Sequence, residues 1–98
     1  MTPDVFAALS DPTRRAIYER LGVEGACTAT HIARESTVTR QAIAKHLAVL
    51  EEAGLVARRR DGNRVEYHVT GRGLDEVEAW VGKVRACWEH RLTRLDSV

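Results

Sequence analysis

Apolar residues recur at helical spacing through the first half of this chain, alternate strictly over one short stretch, and return to helical spacing towards the C-terminus. Residues 3–9 (PDVFAAL) put Val5, Phe6 and Leu9 on one side of a short helix. A second helix is predicted to start at Asp11 and Pro12, because aspartate caps an N-terminus and proline suits the first helical position. It carries Ile17 and Leu21 one turn apart; Gly22 predicts its end, with Gly25 in the following turn. Thr28 is the expected cap of a third helix, ATHIARES, which buries Ile32 and Ala33. After the polar turn Ser36-Thr37-Val38, Thr39 caps a fourth helix, RQAIAKHLAVLEEA. Val38 and Ile43 are spaced as a hydrophobic staple, and Ile43, Leu47 and Leu50 form the inward stripe. Gly54 closes this helix, and Leu55 is placed to fold back on Leu50.

The period then changes. In VARRRDGNRVEYHV, Val65, Tyr67 and Val69 alternate with Arg64, Glu66 and His68, the pattern of a half-buried strand. Asp61-Gly62-Asn63 supplies the turn, so the stretch reads as a hairpin. Beyond Gly71 and Gly73 lies a long helix whose apolar residues Leu74, Val77, Val81, Val84, Trp88, Leu92 and Leu95 run close to a heptad seam. The expected fold is mainly α with one small β-hairpin, in the order of a winged helix-turn-helix. With 98 residues and no internal repeat, one domain is expected over 1–98. Its helix-turn-helix spans about 28–54, its wing about 56–69 and its last helix about 73–95.

Composition narrows the function classes. A 44% apolar and 30% charged chain suits a soluble globular domain. No apolar run approaches the roughly 18–20 residues that cross a bilayer, and MTPDVFAALSDP lacks the pattern of an export signal, so a cytoplasmic location is expected. Cys27 and Cys87 lack CxxC spacing and are expected to be reduced, packed thiols. A glycine-rich phosphate loop, a nucleophile elbow and HExxH are all absent, and the four histidines are scattered, so no enzyme is expected.

Net charge is only +1, which is low for a nucleic-acid partner, but it is unevenly spread. Residues 1–35 hold four Lys/Arg and five Asp/Glu, residues 36–72 seven and four, and residues 73–98 four and five. The local excess of +3 (7 − 4) falls on the fourth helix and the hairpin. A helix roughly 12 Å wide fits the DNA major groove. The outward residues of the fourth helix, beginning beside Thr39, are Arg40, Gln41, Ala44, Lys45 and Ala48. Arginine pairs with guanine O6/N7 and glutamine with adenine N6/N7, while a small residue such as Ala44 lets the backbone approach and offers a methyl to thymine. His46 either contacts DNA or packs at the edge of the core. Arg58, Arg59, Arg60 and Arg64 surround the hairpin turn, where they can meet backbone phosphates or the minor groove. Thr28, Thr30, Ser36 and Thr37 are further hydroxyl donors to phosphate. Double-stranded DNA is the expected partner, with no cofactor.

The last helix carries more apolar surface than one small core covers. Pairing of Val77, Trp80, Val81, Val84, Trp88, Leu92 and Leu95 with Val5, Phe6 and Leu9 of either protomer would bury it.

Three motifs taken in order resemble the ArsR-type winged-helix transcriptional regulators. They are Ser10-Asp11-Pro12-Thr13-Arg14, then Lys45-His46-Leu47 followed by LEEAGLV from Leu50, then the Arg60-Asp61-Gly62 wing ahead of Tyr67. The resemblance covers nearly the whole chain. It implies a homodimeric repressor with the first and last helices at the dimer interface. Many such proteins sense metals through paired thiols at the start of the third helix. Here Thr28 and Thr30 occupy the matching positions and are poor ligands for soft metals, with Cys27 beside the pattern. On the last helix Asp75 has no histidine two residues later, and Cys87 with His90 supplies only two ligands. No metal site is therefore expected. A thiol- or metal-responsive switch and a protein-interaction module on the same fold are the alternatives.

Overall fold

A computed structural model describes residues 4–96, with side chains through residue 92. Its elements are α1 (Val5–Ser10), α2 (Pro12–Glu24), β1 (Cys27–Thr28), α3 (Ala29–Arg34), α4 (Arg40–Glu52), β2 (Val56–Asp61), β3 (Arg64–Val69) and α5 (Arg72–Asp96).

The first four helices start where a short polar side chain can accept a backbone N–H three residues on. Asp4 takes Ala7 N–H at 2.7 Å, Asp11 takes Arg14 N–H at 3.0 Å, Thr28 takes His31 N–H at 3.1 Å and Thr39 takes Ala42 N–H at 3.2 Å. The Asp-Pro-Thr-Arg segment also closes α1. Arg14 Nε donates to Ala8 O at 2.8 Å and Arg15 Nη1 to Leu9 O at 2.9 Å, satisfying carbonyls that a helix end leaves unpaired.

Gly22 does not end α2. The helix continues to Glu24, and Gly25 at φ 90° terminates it, its N–H returning to Leu21 O at 2.9 Å. Gly25 can take the left-handed φ that the exit requires, while Gly22 stays helical. The α4 end follows the expected form. Gly54 has φ 79°, Leu55 N–H reaches Leu50 O at 3.0 Å and Gly54 N–H reaches Glu51 O at 3.0 Å, the two bonds of a Schellman motif. α3 is shorter than expected, because Glu35 and Ser36 lie past its end.

The strand pair is one part of a three-stranded antiparallel sheet of order β1-β3-β2. In the wing, Arg58 faces Tyr67, Arg59 faces Glu66 and Arg60 faces Val65. Gly62 supplies the positive φ of a two-residue loop between Asp61 and Arg64. The unforeseen strand β1 pairs Cys27 with Tyr67 and Thr28 with Glu66.

The core gathers Ile17 and Leu21 of α2, Ile32 of α3, Ile43, Leu47 and Leu50 of α4, and Leu55 and Val56 beyond it. Val5, expected at a dimer interface, is instead buried in this core with Ala8. Leu9 and Val77 pack against the core half-buried, for the same reason: α1 and the first turns of α5 are the lid of the chain's own interior. α5 begins at Arg72, so Gly73 is helical rather than preceding. A Cβ there would stand 2.6 Å from Leu55 Cδ2 and 3.2 Å from Gly54 O, which fixes glycine where α5 crosses the end of α4. Past Val77 the apolar residues of α5 are exposed as far as Leu92, the last described side chain. Phe6 meets Trp80 edge to face, with centroids 5.5 Å apart at 65°. Leu95 lies outside the described side chains. The molecule measures 65 × 29 × 25 Å. No described helix is long and apolar enough to cross a membrane.

Candidate nucleic-acid interface

The α4 stripe of Ile43, Leu47 and Leu50 is buried, and this turns Arg40, Gln41 and Lys45 outward as exposed residues with Ala44 half-buried between them. Thr39, at the mouth of the helix, is exposed although its hydroxyl oxygen caps. His46 points away from this set. It is half-buried, and its Nδ1 lies 3.4 Å from Arg14 Nη1 on α2, so it packs at the core edge.

Beside α4 runs a cleft of about 510 Å³ between α3, α4 and the wing. Arg34, Arg40, Arg58, Arg64 and His31 line it, with Thr28, Thr30 and Asn63, and no carboxylate does among the described residues. Strand pleating sets where the arginines of β2 stand. Directly paired residues share a face, so Arg58 and Arg60 stand on the side of Tyr67 and Val65, two residues of the cleft wall. Arg59 stands on the other side with Glu66, its Nη2 3.9 Å from Glu66 Oε1. Arg58 Nε lies 3.2 Å from Glu51 Oε2, an exposed pair worth at most about 1 kcal/mol. The cleft thus joins Arg40, Ala44, Arg58 and Arg64 of the expected set. It adds Arg34, which sequence reasoning missed although it sits among polar residues in the last turn of α3.

Thr28 and Thr30 have other tasks than metal ligation. Thr28 caps α3, and Thr30 Oγ1 accepts a hydrogen bond from Arg40 Nε at 3.0 Å. Hydroxyls so used do not fit a soft metal. Cys27 is buried, and desolvation pushes its thiol pKa up, the direction of an inert thiol. Cys87 is exposed on α5. Glu24, His31 and Glu35 bring three ligand atoms within 4.8 Å of one another on the surface. Arg20 already bridges both carboxylates and holds Glu24 below its usual carboxylate range.

Comparison with known proteins agrees with this geometry. Residues 9–59 match the family model of a helix-turn-helix domain. The transcriptional repressor SdpR of Bacillus subtilis is 33% identical over 78 residues, covering 80% of this chain and 86% of that protein. An ArsR-like transcriptional regulator from Rhodococcus sp. RHA1 superposes with a TM-score of 0.80 at 38% identity, over 93% of this chain and 85% of that one. The homodimeric winged helix-turn-helix DNA-binding domain Mb0332 from Mycobacterium bovis (fragment 1–100) gives 0.67 at 28% identity, over 84% and 75%. The chain thus belongs to the ArsR-like winged helix-turn-helix transcriptional regulators.

Proposed function

We propose that this regulator is a homodimeric repressor that reads an inverted-repeat operator in the cytoplasm. The observation that carries the reading is the cleft with four arginines and no described carboxylate, set against the exposed Arg40, Gln41 and Lys45 of α4. α4 enters the major groove, where Arg40, Gln41, Ala44 and Lys45 meet base edges. Thr39 at its N-terminus and the arginines of the wing meet phosphates. Arg34 joins that phosphate set from α3.

The dimer is supported by the surface that one protomer leaves in water. Phe6, Trp80, Val81, Val84, Trp88 and Leu92 are all exposed along α1 and α5, a contiguous apolar stripe of the kind that marks an interface. A two-fold axis then gives half-sites about one helical turn apart, roughly 10 base pairs or a multiple. SdpR's name as a repressor and the homodimeric state of Mb0332 point the same way.

Selection of bound fragments from a random duplex pool tests the proposal. It is expected to return a palindromic site whose binding weakens steeply with salt. A non-palindromic site, or binding indifferent to salt, would overturn it.

A further inference from the structure

One side-chain contact in the cleft ties two consecutive helices together across the turn between them. Arg40 is the first residue of α4 and Thr30 lies in the first turn of α3; Arg40 Nε donates to Thr30 Oγ1 at 3.0 Å. Both residues are exposed, and neither belongs to the core. Thr30 is not needed to start α3, because Thr28 makes the cap. The bond therefore has no evident role in holding the fold.

Its effect falls on Arg40. A guanidinium carries five N–H donors in one rigid plane. With Nε committed to Thr30, the two terminal nitrogens form an end-on fork, the geometry that meets a paired acceptor such as guanine O6/N7. A free arginine side chain loses rotamer freedom when it binds, and one already held loses less. Ala44, one turn along α4 and also lining the cleft, leaves room for the duplex to come close.

We propose that Thr30 is a positioning residue for sequence reading: its hydroxyl oxygen holds Arg40 through Nε so that the Nη pair is presented to a base edge in the major groove. This rests on the DNA-reading function proposed above.

The test uses the full chain and the duplex selected by the unmodified protein, with a panel of single-base-pair variants. Thr30→Val keeps the shape and removes the acceptor. It is expected to weaken binding to the selected duplex by about two- to tenfold and to relax preference at the base pair that Arg40→Ala also relaxes. Thr30→Ser is expected to restore both, and Thr30→Val is expected to add nothing in an Arg40→Ala background. Thermal unfolding should be unchanged, since Thr30 is exposed. The inference is overturned if Thr30→Val is silent where Arg40→Ala is not, if it weakens all duplexes equally, or if its effect adds in full to that of Arg40→Ala. Failure of the unmodified chain to bind any duplex would remove the underlying function, and it shows before any substitution is made.

Discussion

Thr39 carries two loads that can be separated. Its hydroxyl caps α4, and its exposed position at the helix mouth faces the side on which Arg40 and Gln41 stand. Thr39→Ala is expected to cost about 0.5–2 kcal/mol of stability, read from the urea midpoint. Thr39→Asp keeps a cap acceptor but sets a negative charge against phosphate, so it should leave the midpoint near that of the parent while abolishing duplex binding. Asp11 makes a pH-dependent cap. Its bond from the Arg14 N–H holds its pKa below the usual 3.8. A depressed folded-state pKa means the contribution is complete above the usual value and is lost as pH falls through the lower one. Acid unfolding followed by circular dichroism should therefore show a shallower loss in Asp11→Asn, which caps without titrating. These caps were readable from sequence because each relation spans three residues. The Arg40–Thr30 and Arg14–His46 contacts were not, because they link residues 10 and 32 positions apart on different elements. Nothing local in the chain encodes which side chains the turn will bring together.

Helix positions followed from apolar spacing, whereas one strand did not. β1 has only two residues, too few for an alternating pattern, and its partners Tyr67 and Glu66 lie about 40 positions away. The end of α2 was misplaced for a related reason: Gly22 and Gly25 offer the same local stop, and only the fold fixes which one takes the positive φ. Thr28 belongs to two elements at once, its backbone in the sheet and its side chain at the head of α3. The wing is thereby fastened to the helix-turn-helix from both sides, by β1 through α3 and by β2 through α4. Alternation along β2 then ranks its arginines. Removing Arg58, Arg60 and Arg64 together should flatten the salt dependence of duplex binding, by about 0.9 in the logarithmic slope for each phosphate no longer neutralised. Arg59→Ala should change that slope least, since Arg59 does not line the cleft and its Nη2 lies 3.9 Å from Glu66 Oε1. A titration of affinity against salt for each variant measures both.

At the scale of the molecule, the apolar seam of α5 was legible from its near-heptad spacing. The assignment of Val5 to that surface was not, because the helical spacing of α1 does not say which of its two apolar flanks turns inward; Val5 went to the core and Phe6 outward to Trp80. Trp88→Glu should leave each protomer folded, since Trp88 stands outside the buried core and is 57% exposed. It should give a monomer by sedimentation that no longer binds the two-fold duplex with the parent affinity. The same placement has an optical consequence. Both indoles of the chain, Trp80 and Trp88, sit on this one face, at 52% and 57% exposure. In the proposed dimer the covered face keeps both indoles dry, so intrinsic fluorescence should serve as a label-free gauge of assembly, its emission expected to drift to the red as the protein is diluted.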